Sequence, residues 1–390
     1  MRGRLCAAMK IKEVKAYVIK APLEEPFSFS QGWVYNRSSV IVEVVCQDGE
    51  SGFGECLCHG MQPPEVAAAF IENCYAQYMI GRDIFDVEVM WEQLYNIARP
   101  FGQQGAAVNA LSGVDIALWD AIGKHLGKPV SKLLGGNFRE SVKAYATGFY
   151  RKKGRRYPDD AIEEAKGYIK KGFRGMKLKT GFGVDTDIEY IKAVREAVGY
   201  DVMLMADFNS AYSQAEARRL LLALEPEKLE FYEELLAPED IAGYKAIRNL
   251  TGSYIAAGEE IFGKIAFKDW LAEGALDIYQ PDLCSSGGFT ECKKIAAICQ
   301  AYNTMLIPHV WGSGVGLAAS LQFIATLPST PLRAKPQEML VEYDQSSHPF
   351  RLDLINDGVR FTDGYVEVPT ASGIGVEVNR SILEKYCVNK

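Results

Sequence analysis

The chain has 390 residues, of which 48% are hydrophobic and 24% charged, and its net charge is −7 at pH 7. This composition is ordinary for a globular protein with a large core. The acidic balance argues against a nucleic-acid partner, because such partners usually require a basic face. No run of about 18 apolar residues is present to span a membrane. The length predicts two or three domains, or one barrel with an appended domain.

Residues 1–10 are interpreted as a leader or a disordered N-terminus, because no apolar stretch long enough for a signal peptide follows Arg2 and Arg4. Met9 is an alternative to Met1 as the native start. The nine cysteines include no pair with the spacing typical of zinc sites. They predict reduced, mostly buried thiols in a cytoplasmic protein.

Residues 11–134 predict a small α+β domain. Val14–Ile19 and Val40–Val45 are rich in β-branched residues, and Asp48-Gly49 is a hairpin-turn signal. The apolar spacing becomes helical from Pro64 to His125. Strands followed by helices indicate an α+β unit.

Residues 135–355 predict a (β/α)8 barrel of the modified TIM type. Short apolar runs recur roughly every 30 residues, the repeat expected of a parallel βα unit. The strand-like, Gly-rich segment 356–390 is expected to return to the first domain and complete it. The predicted barrel strands are Val142–Thr147, Gly175–Lys179, Leu204–Asp207, Leu229–Glu233, Ile255–Glu259, Asp277–Asp282, Met305–His309 and Met339–Glu342.

Seven of the eight runs end in a residue capable of acid–base or metal chemistry. The carboxyl ends of barrel strands converge on one mouth, where such enzymes place their sites. Ionisable residues are rare near core strands unless they are paired or functional. The seven residues are Lys179, Asp207, Glu233, Glu259, Asp282, His309 and Glu342.

Three carboxylates, Asp207, Glu233 and Glu259, close successive strands and are predicted to meet at one point. Three hard oxygen ligands suit Mg²⁺, with Mn²⁺ as a substitute, rather than zinc. The alternative is that each carboxylate merely caps the following helix. Each glutamate is followed by a second one, Glu234 or Glu260, and we assign the first of each pair as the ligand.

Lys177 and Lys179 are predicted to share the interior face of the second barrel strand, because side chains alternate along a strand. Two adjacent ammonium groups near a bound cation are expected to depress each other's pKa and so make a lysine usable as a base. His309 and Asp282 close neighbouring strands. The aspartate is expected to accept a ring N–H and to fix the tautomer, although a satisfied core histidine is the alternative.

These residues together resemble the enolase superfamily, in its mandelate racemase and muconate-lactonizing branch. The resemblance covers nearly the whole chain from Ile11. One departure is Leu235, where members of the family usually have proline after the paired glutamates. The matching stretches are residues 111–136, 175–183, 205–213, 231–240, 256–263, 277–291 and 307–320.

The resemblance implies a capping domain that closes over the barrel mouth, with Asp207, Glu233 and Glu259 as the Mg²⁺ ligands. It implies Lys179 as one base and His309, paired with Asp282, as the base or acid on the opposite face. Lys177 would assist the substrate carboxylate and Glu342 would hydrogen-bond to it. Relatives are commonly multimeric, so a homo-oligomer is expected.

Substrate selection is expected from the loops Pro26–Arg37 and Gly54–Pro64. Trp33 and His59 in these loops, together with Asn209 after the third strand, are the predicted substrate-binding residues. The basic run 151–156 is interpreted as a solvated loop, with binding of a distal substrate carboxylate as the alternative.

The predicted reaction is Mg²⁺-dependent removal of the proton α to a carboxylate, followed by β-elimination from an acid sugar or its lactone. Elimination here means dehydration, lactone ring opening or cycloisomerisation. The alternative is racemisation or epimerisation of a 2-hydroxy or amino carboxylate by two bases. A non-catalytic barrel that only binds a sugar acid is a third interpretation, disfavoured because Lys179 and the metal ligands are all present.

Overall fold

The computed structural model describes residues 9–58, 60–329, 334 and 336–389. The first domain is built on a long antiparallel pair, β1 (Ile11–Phe29) and β2 (Gly32–Cys46), to which β3 (Ser51–Cys56) adds at the other edge of β2. The predicted turn at Asp48-Gly49 joins β2 to β3, and Gly49 has the positive φ of 91° that favours glycine.

The helices of this first domain cover one face of the sheet formed by β1, β2 and β3, to whose edge a short strand from the second domain also adds. The longest is almost entirely buried and crosses β3 so closely that a Cβ at Gly54 would lie 2.0 Å from the carbonyl oxygen of Gly113. A glycine is therefore needed for that crossing. The helices are α1 (Pro64–Phe70), continued by a π-helical turn (Ile71–Tyr75) and α2 (Ala76–Met79), then α3 (Val87–Ala98), α4 (Ala106–Leu126) and α5 (Val130–Leu133).

The second domain contains eight parallel strands that form the predicted barrel sheet. Each strand pairs in parallel with a neighbour, and the last strand pairs with the first. The strands are β4 (Ser141–Thr147), β6 (Gly175–Lys179), β7 (Met203–Asp207), β8 (Phe231–Glu233), β9 (Tyr254–Ala257), β10 (Ile278–Tyr279), β11 (Met305–Leu306) and β12 (Leu340–Asp344).

Three of these strands end earlier than predicted. β9, β10 and β11 end before Glu259, Asp282 and His309, so these three side chains lie in the loops just beyond the strand ends. The loops remain buried, because hydrogen bonds and packing hold them against the barrel mouth. A small apolar cluster that includes Tyr145 and Met205 fills the interior of the barrel.

The barrel helices pack around the strands through one large apolar core. None of the helices in the described residues is long and apolar enough to cross a membrane. The helices are α6 (Asp159–Lys170), α7 (Val184–Val198), α8 (Gln214–Leu224), α9 (Ile241–Ile247), α10 (Gly263–Glu273), α11 (Gly288–Ala301) and α12 (Gly314–Ala325), with 3-10 turns at Glu225–Glu227 and Arg248–Leu250.

The C-terminal segment contacts both domains. Its β15 (Tyr365–Glu367) pairs antiparallel with barrel strand β4, and β14 (Phe361–Thr362) pairs with β15. The final helix, α13 (Arg380–Tyr386), reaches the first domain, where Asn389 hydrogen-bonds to the backbone of β1. The remaining short strands are β5 (Arg151–Lys152), which pairs with β1, and β13 (Ile355–Asn356) and β16 (Glu377–Val378), which pair with each other.

Candidate active site

Three carboxylates converge at the carboxyl ends of neighbouring barrel strands. One oxygen from each of Asp207, Glu233 and Glu259 lies within 4.8 Å of the others. Asp207 and Glu233 are register partners on β7 and β8, and Glu259 follows β9. All three are at most 6% exposed. The parallel register therefore brings together three carboxylates that are separated in sequence.

The second glutamate of each pair is directed elsewhere. Glu234 has a positive φ of 47°, and its Oε2 accepts a hydrogen bond from Nδ2 of Asn209 at 3.3 Å. Glu260 is exposed and accepts from the hydroxyl of Ser210 at 3.3 Å. The oxygens that converge are thus those of the first glutamate in each pair.

Lys177 is enclosed by carboxylates. Its Nζ lies 2.5 Å from Oε1 of Glu233, 2.9 Å from Oε1 of Glu342 and 3.5 Å from Oδ2 of Asp207. Burial favours the neutral amine, but the carboxylates of Glu233 and Glu342 outweigh it and raise the pKa of Lys177 well above its usual value. Lys177 is therefore a fixed positive charge.

Lys179 lies beside Asp207, with 2.5 Å between Nζ and Oδ2, and donates to Oδ1 of Asn209 at 3.1 Å. Burial acts to lower the pKa of Lys179, but the Asp207 carboxylate raises it above its usual value. The predicted mutual effect of the two lysines is present but does not set the net shift of the Lys179 pKa. Lys177 does lower the pKa of Lys179, but by less than Asp207 raises it.

His309 forms the predicted dyad with Asp282, with 2.7 Å between Nδ1 and Oδ2. Its Nε2 lies 2.9 Å from Oε2 of Glu259. Burial favours the neutral ring, but the charges of Glu259 and Glu342 raise the pKa of His309 well above its usual value. The ring is therefore oriented between one aspartate and the carboxylate cluster.

Glu342 connects both sides of the site. Its Oε1 accepts from the hydroxyl of Thr147 at 2.6 Å, and its Oε2 accepts from the amide of Val310 at 3.2 Å. Burial opposes ionisation, but Lys177 and His309 lower the pKa of Glu342 to about 2. Glu342 is thus a permanent carboxylate between Lys177 and the His309 loop.

The carboxylate cluster has the chemistry of a divalent-cation site. Burial raises the pKa of Glu233 to about 7, and repulsion from Asp207 adds to the effect. A divalent cation would relieve this repulsion, and all three donors are the hard oxygens that Mg²⁺ prefers. Gln280, which the sequence reasoning missed, donates to Oε2 of Glu233 at 2.7 Å and orients it.

The predicted substrate-binding residues have different locations. Asn209 lies at the site, whereas His59 is outside the described residues. Trp33 is 38% exposed, and its ring pairs with Tyr35 at 6.5 Å, on the face of β2 opposite buried Val34. No described contact joins Trp33 to the carboxylate cluster.

Two aromatic residues lie close to Lys179, and one of them, Tyr150, was not assigned from the sequence. The Nζ of Lys179 lies 5.6 Å from the ring of Tyr150 and 6.0 Å from that of Phe29. Phe29 ends β1, because the segment Pro26–Arg37 that was expected to be a substrate-selecting loop forms the hairpin between β1 and β2. Tyr150 follows β4. The position of Tyr150 directly after a barrel strand is the sequence signal that could have identified it.

Arg151, the first residue of the basic run, departs from the expected solvated loop. Its guanidinium stacks over Tyr157 at 3.9 Å and over Phe182 at 4.7 Å. Lys152 and Arg155 do lie at the surface, where both pair with Glu25. Stacking therefore draws one residue of the run into the protein and leaves the others facing solvent.

Two family models together cover most of the chain. Residues 12–135 match the model described as mandelate racemase / muconate lactonizing enzyme, N-terminal domain. Residues 160–382 match the model described as enolase C-terminal domain-like. The two matches correspond to the first domain and to the barrel with most of the C-terminal segment.

Individual relatives align over almost their full length. The chain is 40% identical over 379 residues to a D-galactarolactone cycloisomerase of Agrobacterium fabrum, with 97% of this chain and 99% of the relative covered. It is 30% identical over 384 residues to an arabinonate dehydratase of Saccharolobus solfataricus, with 98% and 97% covered. The crystal structure of the 3,6-anhydro-D-galactonate cycloisomerase from Zobellia galactanivorans superposes with a TM-score of 0.87 at 34% identity, covering 97% of this chain and 100% of that one.

Proposed function

Because the chain belongs to the mandelate racemase and muconate-lactonizing branch of the enolase superfamily, we propose that it removes the proton α to a carboxylate of an acid sugar or its lactone and then eliminates a β-oxygen. The observation that carries the proposal is the placement of Lys179 and His309. They contact different members of one carboxylate cluster, Asp207 and Glu259 respectively. A substrate carboxylate at that cluster would have one of these groups near each face of its α-carbon.

The metal site in this proposal consists of Asp207, Glu233 and Glu259, holding Mg²⁺ with Mn²⁺ as a substitute. The cation would supply Lewis-acid stabilisation of the substrate carboxylate as negative charge develops on it. Positive charge beside Lys179 would also lower the pKa of that lysine toward the range of a usable base.

The remaining steps are assigned to three side chains, Lys179, Lys177 and His309. Lys179 takes the α-proton, and the C–H electron pair moves into the carboxylate to give an enediolate. Lys177, held as an ammonium, would stabilise the negative charge that develops there. Return of that electron pair to form the C=C bond breaks the β-C–O bond, whose electrons leave with oxygen. His309 supplies the proton that this oxygen requires.

The leaving group distinguishes two forms of the reaction. Loss of a ring oxygen opens a lactone, as the name of the Agrobacterium relative suggests for that enzyme, and loss of a hydroxyl releases water, as in the dehydratase relative. The greater identity to a cycloisomerase, 40% against 30%, favours ring opening. Epimerisation requires the same two groups and differs only in the fate of the enediolate.

The test is incubation with Mg²⁺ in D₂O against a panel of aldonates, aldarates and their lactones, followed by NMR. Loss of a C2–H signal together with a 3-deoxy-2-keto product would support elimination and identify the substrate. Exchange with inversion and no keto acid would replace elimination with epimerisation. Absence of exchange on every carboxylate, in protein that binds Mg²⁺, would contradict the proposal. Lys179→Met serves as the inactive control.

A further inference from the structure

The loop that carries His309 continues into α12, and the start of that helix is held from the first domain by Glu55. Glu55 lies on β3 and is 1% exposed. Its Oε1 accepts from the hydroxyl of Ser39 at 2.6 Å and from the amide of Ser313 at 2.9 Å. Its Oε2 accepts from the hydroxyl of Ser313 at 2.6 Å and from the amide of Gly316 at 2.8 Å. Both carboxylate oxygens are therefore used in fixing the helix start to the first domain.

Hydrogen-bond donors surround the buried carboxylate of Glu55. Burial raises the pKa of Glu55, whereas its hydrogen bonds from Ser313, Ser39 and Gly316 lower it, and the dipole of α12 favours an anion at this helix start. A Cβ at Gly312 or at Gly316 would lie 2.9 Å from a carboxylate oxygen of Glu55. Glycine at both positions is what allows this close approach.

The same loop is also held between His309 and Ser313. The guanidinium of Arg37, on β2, stacks 3.7 Å from the centre of the Trp311 ring. The amide of Val310 donates to Glu342. Asp282 orients the His309 ring, but the backbone that carries this ring is fixed by contacts farther along the loop, including the hydrogen bonds of Ser313 and Gly316 to Glu55.

Lys179 is the last residue of β6, and the loop that follows it is held by a carboxylate other than Glu55. The loop after β6 is held by Asp187 of α7, whose Oδ2 accepts from the amide of Gly181 at 2.6 Å and from the hydroxyl of Tyr212 at 2.5 Å. Asp187 is fully buried, like Glu55. The His309 loop and the loop that follows Lys179 thus rest on two separate carboxylates, one in the first domain and one in the barrel.

We propose that Glu55 is a positioning residue for His309, so that the first domain sets the orientation of the group acting on one substrate face only. This inference rests on the proposed function, in which Lys179 and His309 act on opposite faces. The described hydrogen bonds of Glu55 are with Ser39, Ser313 and Gly316, and none is with a proposed metal ligand. Its loss should misplace His309 and leave Lys179 in position.

A measurement without substrate tests the positioning directly. The chain has only four histidines, so the ring N–H of His309 can be assigned in histidine-labelled protein by its disappearance in His309→Asn. Glu55→Gln is expected to speed solvent exchange of this N–H by about tenfold or more, because the loop opens more often. Asp187→Asn, the matched buried-carboxylate control, should leave it unchanged. An unchanged His309 signal and exchange rate in folded Glu55→Gln would overturn the proposal.

A second measurement follows α-proton exchange in D₂O on a pair of C2-epimeric acid sugars. The epimer whose exchange is abolished by His309→Asn reports the His309 face, and the other reports the Lys179 face. Glu55→Gln should slow exchange on the His309 face by about 10- to 100-fold, as expected for a misplaced catalytic group, and leave the Lys179 face near wild type. Asp187→Asn, which leaves the contacts of the His309 loop intact, should keep exchange on the His309 face near wild type. Equal losses on both faces in Glu55→Gln would overturn the proposal.

Two further outcomes, a Glu55→Gln variant that does not fold and a wild-type protein that exchanges no substrate, can be distinguished from failure of the proposal. If Glu55→Gln does not fold, Ser313→Ala removes one donor to the same carboxylate and should shift both measurements in the same direction by a smaller factor. No shift in either measurement for folded Ser313→Ala would overturn the proposal. If wild-type protein exchanges no carboxylate, the proposed function fails, whereas the N–H measurement still decides the role of Glu55.

Discussion

Asp282 holds His309 by one ring nitrogen, with 2.7 Å between Oδ2 and Nδ1, and this contact directs the other nitrogen at the carboxylate cluster. The aspartate accepts from Nδ1–H, which places the exchangeable proton position at Nε2. The pair therefore couples the orientation of the ring to its protonation.

Asp282→Asn is expected to reduce turnover by about 10²- to 10⁴-fold, because an amide can donate to Nδ1 and stabilise the wrong tautomer. Isotope exchange on the face served by Lys179 should be retained, and steady-state kinetics together with C2–H exchange would measure both effects. Wild-type turnover in Asp282→Asn would show that the dyad has no role in proton transfer.

Mg²⁺ is expected to stabilise the folded protein, because the cation binds a cluster that exists only in the folded state. At a concentration 100 times its Kd, the stabilisation is about 2.7 kcal/mol. After treatment with EDTA, the melting temperature should rise with added Mg²⁺. Glu259→Gln should abolish this rise and Glu260→Gln should retain it. The reverse result would make Glu260 the ligand.

The buried carboxyl group of Asp115 is expected to make the stability of the folded protein depend on pH. Burial raises its pKa from 3.8 to about 7, although Oδ2 accepts from the amide of Thr290 at 3.0 Å. Between these values the folded protein binds a proton that the unfolded chain has lost, so the contribution of Asp115 to stability falls as pH rises.

Asp115→Asn removes this titration. Relative to wild type, the free energy of unfolding of the variant should increase between pH 4 and pH 7, by up to about 4 kcal/mol, and then level off. Urea unfolding of both proteins at several pH values measures the difference. A difference in the free energy of unfolding that stays constant across this range would show that folding does not raise the pKa of Asp115.

Substitution of Phe29 is expected to weaken substrate binding, whereas substitution of Trp33 is not. The ring of Phe29 lies 6.0 Å from Nζ of Lys179, whereas Trp33 is 38% exposed and no described contact joins it to the carboxylate cluster. Phe29→Ala should raise KM by about 10- to 100-fold, the loss expected when one buried aromatic contact of about 1.5–3 kcal/mol is removed. Trp33→Ala is the matched control and should leave KM near wild type. A larger effect at Trp33 would support its assignment from the sequence.

The sequence by itself determined the family and the barrel fold, and both predictions are confirmed by the two family matches and by the relatives. A parallel βα repeat places each strand end at the same mouth, so ionisable residues at those ends could be grouped before any coordinates were known. β6 has the predicted bounds, Gly175–Lys179. Strand ends near Glu259, Asp282 and His309 were misplaced, because buried loops resemble strands in apolar pattern.

Only the tertiary structure decided which charges meet. The sign of the pKa shift of Lys179 depends on its 2.5 Å approach to Asp207, and this distance is absent from any one-dimensional pattern. The contact of Glu55 with Ser313 joins residues 258 positions apart in different domains. Strand periodicity is local and can be read along the chain, whereas electrostatic and interdomain contacts depend on distances between segments that are remote in sequence, and folding alone sets those distances.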